Sequence, residues 1–252
     1  MTIQNILLKI QYDGSSFEGF QVQNNKRTVQ KELEGAVRSV TGEKNRIIAS
    51  GRTDSGVHAN EMYVNFLTAK DIRADKFHFH LKKYLPEDIL ALSSSRVDKN
   101  FHARFSVKTK TYKYVISLNK NLHPIYRNYM EQITYKLDFD KLQKGMDILK
   151  GEHDFKAFML SEKDDIINTI RKIDDCYFIL DEDRLYLYFK AESFLHNQVR
   201  IMAGGLIELA RGKISLDDFR YYFDKNNERR ANPTLKAGGL YLDSIDYRNL
   251  KS

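Results

Sequence analysis

The sequence predicts an α+β fold in two similar halves, each of mixed β-α-β-β type, sharing a largely antiparallel sheet with the helices packed on one face. Three observations carry this. Stretches of apolar and polar alternation are interleaved with stretches whose apolar residues recur at three- and four-residue spacing. That grammar runs twice along the chain, dividing near residue 105. No Pro-, Gly- or Ser-rich linker separates the two runs, and the whole chain of 252 residues holds 3 Pro. The halves are therefore taken as residues 1–105 and 106–252, with a cleft between them as the expected place for a functional site.

In the first half, Ile6, Leu8, Ile10 and Tyr12 alternate over Asn5–Tyr12 and predict a strand. A polar loop follows from Asp13 to Lys26. Thr28 is a natural N-cap for a helix whose stripe is Val29, Leu33, Ala36, Val37 and Val40, with Gly42 as its stop. Arg46–Ala49 reads as a short strand, Ser50–Val57 as a loop punctuated by glycine, and Met62, Val64 and Phe66 as a further strand. A helix is expected from Ala74 to Tyr84, ending before Pro86, since a residue preceding proline is pushed out of helical geometry. Strands are expected at Ile89–Val97 and Val107–Leu118. In the second half, Asp138 caps a helix carrying Leu142, Met146 and Leu149 and closed by Gly151. Strands follow at Thr169–Leu180 and Leu185–Ala191, helices at Leu195–Ala210 and Leu216–Phe223, and a last strand at Leu240–Ile245.

Composition narrows the function. Apolar residues make 42% of the chain and charged residues 30%, the balance of a water-soluble domain with a sizeable core. No apolar run approaches the roughly 20 residues needed to cross a bilayer. The first residues, MTIQNILLKI, lack the basic and small-residue features of a secretory signal, and Cys176 is the single cysteine. A cytoplasmic protein without disulfides or a multi-cysteine metal site is the expectation. The net charge is +7. From Arg96 to Arg127 eight basic residues (Arg96, Lys99, Arg104, Lys108, Lys110, Lys113, Lys120, Arg127) face one acid, Asp98, so this stretch matches the excess of the entire chain. Phe101, Phe105, Tyr112, Tyr114 and Tyr126 are interleaved with those cations. Cations for phosphates and rings for unpaired bases are what a nucleic-acid surface requires, although a solvated strand pair would carry the same lysines.

The most unusual local string is Gly51-Arg52-Thr53-Asp54-Ser55-Gly56-Val57-His58-Ala59. Two glycines bracket an arginine, an aspartate and two hydroxyl residues directly after a strand. Such a loop can hold a carboxylate at a fixed place on a rigid scaffold. An Asx turn beside Gly56 would also account for Asp54 and Ser55.

Taken whole, this string resembles the active-site loop of the TruA family of tRNA pseudouridine synthases. Further motifs agree in order and spacing: Tyr12-Asp13-Gly14, then Gly19-Phe20-Gln21-Val22-Gln23, Thr28-Val29-Gln30 and Leu33-Glu34. After them come Phe101-His102-Ala103-Arg104-Phe105, Tyr112-Lys113-Tyr114, Phe194-Leu195-His196 with Val199-Arg200, and Gly239-Leu240-Tyr241-Leu242. The resemblance spans residues 6 to 247. It implies that Asp54 is the catalytic carboxylate, that Tyr112 packs on the target base, that Arg200 pairs with the carboxylate, that Leu240 lines the base pocket and that Arg52 lies by the RNA backbone or a flipped base. It also implies uridine-to-pseudouridine isomerisation at positions 38, 39 and 40 of tRNA, by a homodimer, with tRNA as the partner. RNA contacts are further expected from Arg104, Lys108 and Lys110; His58 and His196 are candidates for RNA contact as well, with support of the active-site loop as the favoured role of both.

The chain departs from the family pattern at two places. Phe20 stands where many members carry Trp, and Asn197 where a second adjacent His is common. The second departure keeps open a paralogue that acts on another RNA, such as ribosomal RNA. A non-catalytic RNA-binding or RNA-folding module is the other reading, and Asp54, Tyr112 and Arg200 together speak against it. The chemistry breaks a C–N bond and makes a C–C bond without redox change, so no cofactor and no metal are expected. One ionised carboxylate serves as nucleophile at C1′ or at uracil C6, or as base at the ribose, and a second group takes the C5 proton. The uridine must first leave its stack, at a cost of a few kcal/mol.

Remaining candidates are read as structural. His78 and His80 are surface histidines, Cys176 a buried small residue, Glu162–Asp165 and Asp181–Asp183 solvated turns, and Gly204-Gly205 a place of close helix packing.

Overall fold

The computed structural model describes residues 3–160 and 168–248, so the expected turn at Glu162–Asp165 lies outside the described residues. The chain forms two compact units, one from the chain up to Lys108 together with the stretch from Tyr241 onward, the other from Thr109–Leu240. A division near residue 105 is therefore only part of the organisation. The last strand, expected in the second half, belongs to the first unit.

In the first unit, β1 (Gln4–Tyr12) lies between β3 (His58–Thr68) and β4 (Ile89–Val97), antiparallel to both. Strand β2 (Ile48–Ala49) pairs antiparallel with β3, and β10 (Leu240–Tyr247) runs parallel to β3 with Tyr241 opposite His58. Direct pairing sets Ile6 against Phe66, Leu8 against Val64 and Ile10 against Met62, all at most 1% exposed. Helix α1 (Val29–Thr41) buries Val29, Leu33, Ala36 and Val37 and stops at Gly42, whose φ of 77° is the left-handed C-terminal conformation that glycine adopts without strain. The helix expected over 74–84 is shorter. A 3₁₀ turn at Ala74–Lys76 leads into α2 (Phe77–Leu81), where Phe77 meets Phe66 edge to face at 5.7 Å. Only Phe77 and Leu81 of this segment reach the core, so tertiary packing supports barely more than one turn.

The opposite face of this sheet is also covered. Asn5, Leu7 and Asn65 point there and are buried, under the loop 98–106 that joins β4 to β5 (Val107–Ser117).

In the second unit the strand order is β5, β9 (Arg184–Ala191), β8 (Ile170–Asp181), β7 (Gly151–Asp154), antiparallel throughout. A short β6 (Glu131–Gln132) runs parallel on β5. The turn between β8 and β9 is exposed at Asp181 and Glu182, as a solvated acidic turn should be. Helix α3 (Phe139–Leu149) is capped by the Asp138 carboxylate, which accepts from Lys141 N. Helix α4 (Gln198–Ala210) is buried on nearly all sides, and α5 (Leu216–Tyr221) starts in a capping box built by Ser215 and Asp218. Cys176 is fully buried with its thiol directed at the Met146 carbonyl. Burial pushes that thiol up to about 12, so it is a packing residue and not a nucleophile.

The start of α4 is three residues later than the stripe at Leu195 suggests. Asn197 adopts φ 58°, a left-handed conformation no helix interior tolerates, and the helix begins after it. Within α4, a Cβ on Gly204 would stand 1.8 Å from the Pro233 carbonyl oxygen, so this glycine exists for close packing. Alanine there gains helix propensity of about 1 kcal/mol but must displace that backbone. Gly204→Ala is expected to lower the melting temperature by about 2–10 °C, the range for overpacking in a chain of this size, and thermal unfolding measures it.

Candidate active site

The Asp54 loop is held mainly by its own backbone. Ser50 enters it fully buried, donating N–H to the Tyr63 carbonyl at 2.8 Å and accepting Tyr63 N–H on Oγ at 3.2 Å. The Thr53 carbonyl accepts from Phe20 N at 3.0 Å, and the Thr53 and Tyr12 hydroxyls share a hydrogen bond of 2.7 Å. The turn closes by Val57 N–H to the Asp54 carbonyl at 3.2 Å, with Gly56 at φ 77° donating to the Phe17 carbonyl. Two glycines of the facing loop make room. A Cβ on Gly14 would lie 2.0 Å from the Val57 oxygen, and one on Gly19 2.9 Å from the Thr53 oxygen. Asp54 is thus held half-buried on a turn clamped from both ends, and Arg52 is exposed beside it.

His58 stands behind this turn and is 2% exposed. Its ring stacks on Tyr241 at 4.7 Å and 22°, and its Nδ1 accepts the Gly14 N–H at 3.0 Å. A backbone N–H can only donate, so Nδ1 is the acceptor of that bond. Asp13, 3.2 Å from the same nitrogen, accepts instead from Ser15 N and Oγ. Of the two roles read for His58, loop support is the one that its burial between Gly14 and Tyr241 favours.

Tyr112, Arg200 and Leu240 belong to the second unit. Tyr112 is 8% exposed in the middle of β5, opposite Phe189 and edge-on to Phe194 at 5.2 Å and 88°. Arg200, on the first turn of α4, donates Nε–H to the Leu235 carbonyl at 2.7 Å and Nη1–H to Asn197 Oδ1 at 2.6 Å. Arginine only donates, so the Asn197 oxygen faces it and the amide nitrogen faces His196 Nε2 at 2.9 Å. Asn197 therefore fixes Arg200, a role its residue type alone does not announce. The usable signal was its place before a helix, where Asn tolerates positive φ.

Arg200 also acts electrostatically on Tyr114, which is fully buried and donates its hydroxyl to the Lys236 carbonyl at 2.7 Å with Glu131 3.5 Å away. Burial pushes the Tyr114 phenol far above its usual value, Glu131 adds to the rise and Arg200 opposes it. Gly239 lies against this ring, its would-be Cβ 2.7 Å from Tyr114 Cζ, and Leu240 follows at 5% exposure. Sequence reading missed the Tyr114, Glu131 and Lys236 set because its members are 17 and 122 residues apart in the chain.

Of the expected RNA contacts, Arg104, Lys108 and His196 are exposed and Lys110 is half-buried. His78 hydrogen-bonds Ser94 Oγ through Nδ1 at 3.0 Å, as an ordinary surface histidine does. Among the described residues no group of three or more His, Cys, Asp or Glu side chains could hold a metal ion, and no helix is long and apolar enough to cross a membrane. Gly14→Ala is expected to push the Val57 carbonyl away and shift the Asp54 turn. Turnover should fall by more than tenfold while the melting temperature drops by only a few degrees, and kinetics together with thermal unfolding test this.

Comparison with known proteins agrees with this geometry. A family model described as tRNA pseudouridine synthase matches residues 9–106 and 146–248. The chain is 39% identical over 245 residues to tRNA pseudouridine synthase A of Finegoldia magna, covering 97% of this chain and 100% of that protein. It is 38% identical over 245 residues to the protein of the same name from Caldicellulosiruptor saccharolyticus, again over 97% and 100% of the two chains. With tRNA pseudouridine synthase A of Listeria welshimeri the identity is 39% over 242 residues, 94% of this chain and 97% of that one. Both glycine-clamped loops and the Asn197–Arg200 turn fall inside the matched residues, and the chain belongs to the tRNA pseudouridine synthase family, a family of isomerases.

Proposed function

We propose that this protein isomerises uridine to pseudouridine in the anticodon stem-loop of tRNA, at positions 38, 39 and 40, with Asp54 as the catalytic carboxylate. The observation that supports the reading is a carboxylate on a turn clamped by backbone bonds, in a chain of this family. The reaction breaks the bond from C1′ to N1, turns the uracil and forms the bond from C1′ to C5. The C5 proton is lost and N1 gains one, so atoms balance without a co-reactant. Asp54 acts as nucleophile at C1′ or at uracil C6, or as base at the ribose. Tyr112 packs on the uracil, Leu240 lines the base pocket, Arg52 meets the RNA, and Arg200 supplies a guanidinium whose plane Asn197 and Leu235 set. Extrusion of the uridine costs a few kcal/mol, offset by stacking in the pocket.

The protein is further read as a cytoplasmic homodimer. A second basic surface extends the reach along a stem-loop and raises avidity. Sedimentation as a fully active monomer at micromolar concentration would overturn the dimer.

Mapping pseudouridine in RNA from cells with and without the gene tests the target. Loss at positions 38, 39 and 40 of tRNA is expected, and loss confined to ribosomal RNA would overturn it. Asp54→Asn keeps size and removes charge; it is expected to abolish turnover and leave tRNA affinity near that of the unaltered chain. Residual turnover within tenfold would remove Asp54 from the chemistry.

Tyr112→Phe keeps the ring and removes the hydroxyl. If the hydroxyl moves a proton, turnover falls by about 10²–10⁴-fold with binding almost unchanged. A Phe variant at full rate leaves Tyr112 as a packing ring. Tyr112→Ala is less informative, since a buried ring against Phe194 is lost with it and the melting temperature falls as well.

A further inference from the structure

The loop 98–106 carries a feature that folding does not explain. Phe105 is 72% exposed, against 60% for Phe79, yet the chain beneath it is held by several hydrogen bonds to buried side chains. Asn5 and Asn65, 1% and 2% exposed, reach through the sheet to hold it. Asn5 Nδ2 donates to the Asp98 and Phe101 carbonyls at 2.9 and 3.0 Å. Asn65 Nδ2 donates to Asn5 Oδ1 at 2.9 Å, and Asn65 Oδ1 accepts from Ala103 N at 2.9 Å. The Ala103 carbonyl accepts from the Tyr247 hydroxyl at 2.9 Å, and the Ser106 carbonyl from Arg248 N at 3.2 Å. Burial pushes the Tyr247 phenol well above its usual value, so it stays protonated and keeps donating.

On this base His102 is also fixed. Its Nδ1 accepts from Arg104 N at 3.2 Å and Phe105 N at 3.3 Å, which sets the ring plane. Phe105 stacks on that ring at 4.2 Å and 27°, and the Arg104 guanidinium carbon is 5.8 Å from the Phe105 centroid. One face of the phenyl ring is against His102; an exposure of 72% leaves the other to solvent. The polar network that covers Asn5 and Asn65 also fixes the turn that presents this apolar ring to water, which pre-organises the ring for recognition. The charge around it selects the partner. Arg96, Lys99, Arg104 and Lys108 are exposed on the same segment against one exposed acid, Asp98.

We propose that Phe105, backed by His102 and flanked by Arg104, is a stacking platform for an unpaired nucleotide of the RNA substrate, with Arg104 on the adjacent phosphate. The inference rests on the tRNA reading of the function. A phenyl face stacks on any base, so the platform adds affinity and register without sequence preference. The neutral ring contributes nothing to counterion release, whereas Arg104 does.

The test is equilibrium binding of unmodified tRNA across a salt series, with thermal unfolding and sedimentation of each variant. Phe105→Leu keeps an apolar side chain and removes the ring. It is expected to weaken tRNA binding by about 5- to 100-fold at an unchanged salt slope. Phe105→Trp is expected to bind within about twofold of the unaltered chain, because indole stacks at least as well. Arg104→Ala is expected to lower the salt slope by about one unit. Phe79→Leu, an exposed ring elsewhere in the unit, controls for a general loss of surface aromatics. Affinity of Phe105→Leu within twofold of the unaltered chain would overturn the platform. So would a lowered melting temperature, which assigns the ring to folding, or a changed sedimentation coefficient without RNA, which assigns it to a protein contact. Failure of the unaltered chain itself to bind tRNA would overturn the functional reading instead.

Discussion

Two glycines, Gly14 and Gly19, let the loop after β1 lie directly on the backbone of the turn that carries Asp54. Everything else about that turn follows from this contact. With a Cβ at either place, the Phe20 N–H could not reach the Thr53 carbonyl nor the Gly14 N–H reach His58. The facing loop is itself pinned. Arg27 makes a two-bond pair with Asp88 at 2.7 and 2.9 Å and lies over the Phe17 ring at 4.1 Å. The backbone that carries Asp54 is thus fixed by contacts within the first unit, without any ligand.

The second unit solves the equivalent problem for Arg200 with side chains. Asn197 accepts one helical-face N–H of the guanidinium while its own backbone, at positive φ, sets where α4 begins. The residue that departs from the common family pattern is thus a direct partner of the arginine. Below it, Tyr114, Glu131 and the Lys236 backbone form a buried polar set with each member bonded, so the low-dielectric surroundings strengthen the set. Glu131 accepts both the backbone N–H and the ammonium of Lys236, at 3.0 and 3.2 Å, which satisfies its buried carboxylate. The same logic recurs beneath Phe105, where two buried asparagines hold a turn in place by its carbonyls and an N–H.

Much of the element order was readable because periodicity is a local property. The strands at Asn5–Tyr12, Ile89–Val97 and Leu185–Ala191 and the helix after Thr28 follow from spacing alone and occur where expected. The errors fall where a distant partner or a left-handed backbone residue decides. The segment 74–84 carries a helical pattern, but only Phe77 and Leu81 find a core, and one short helix remains. Leu195 fits the stripe of α4, yet Asn197 turns the chain left-handed first. Short strands such as β6 and β7 have no periodic signal over two or four residues and exist because a neighbouring strand supplies the hydrogen bonds.

The candidate site divides the same way. Residue types and motif order alone determined an α+β chain of this family, the loop bearing Asp54, and the residues Tyr112, Arg200 and Leu240 as candidates, since these are properties of short strings. The tertiary structure alone decided that His58 is buried between Gly14 and Tyr241, that Asn197 fixes Arg200, and that β10 returns to the first unit beside β3. It also decided that Phe105, one aromatic among several in a basic stretch, is the one held out on a rigid turn. The placing of His58, β10 and Phe105 depends on contacts between residues tens to more than a hundred positions apart, where the partner of a hydrogen bond or a ring is set by packing and leaves no trace in local spacing; the Asn197–Arg200 bond is local, and its signal is the left-handed backbone of Asn197.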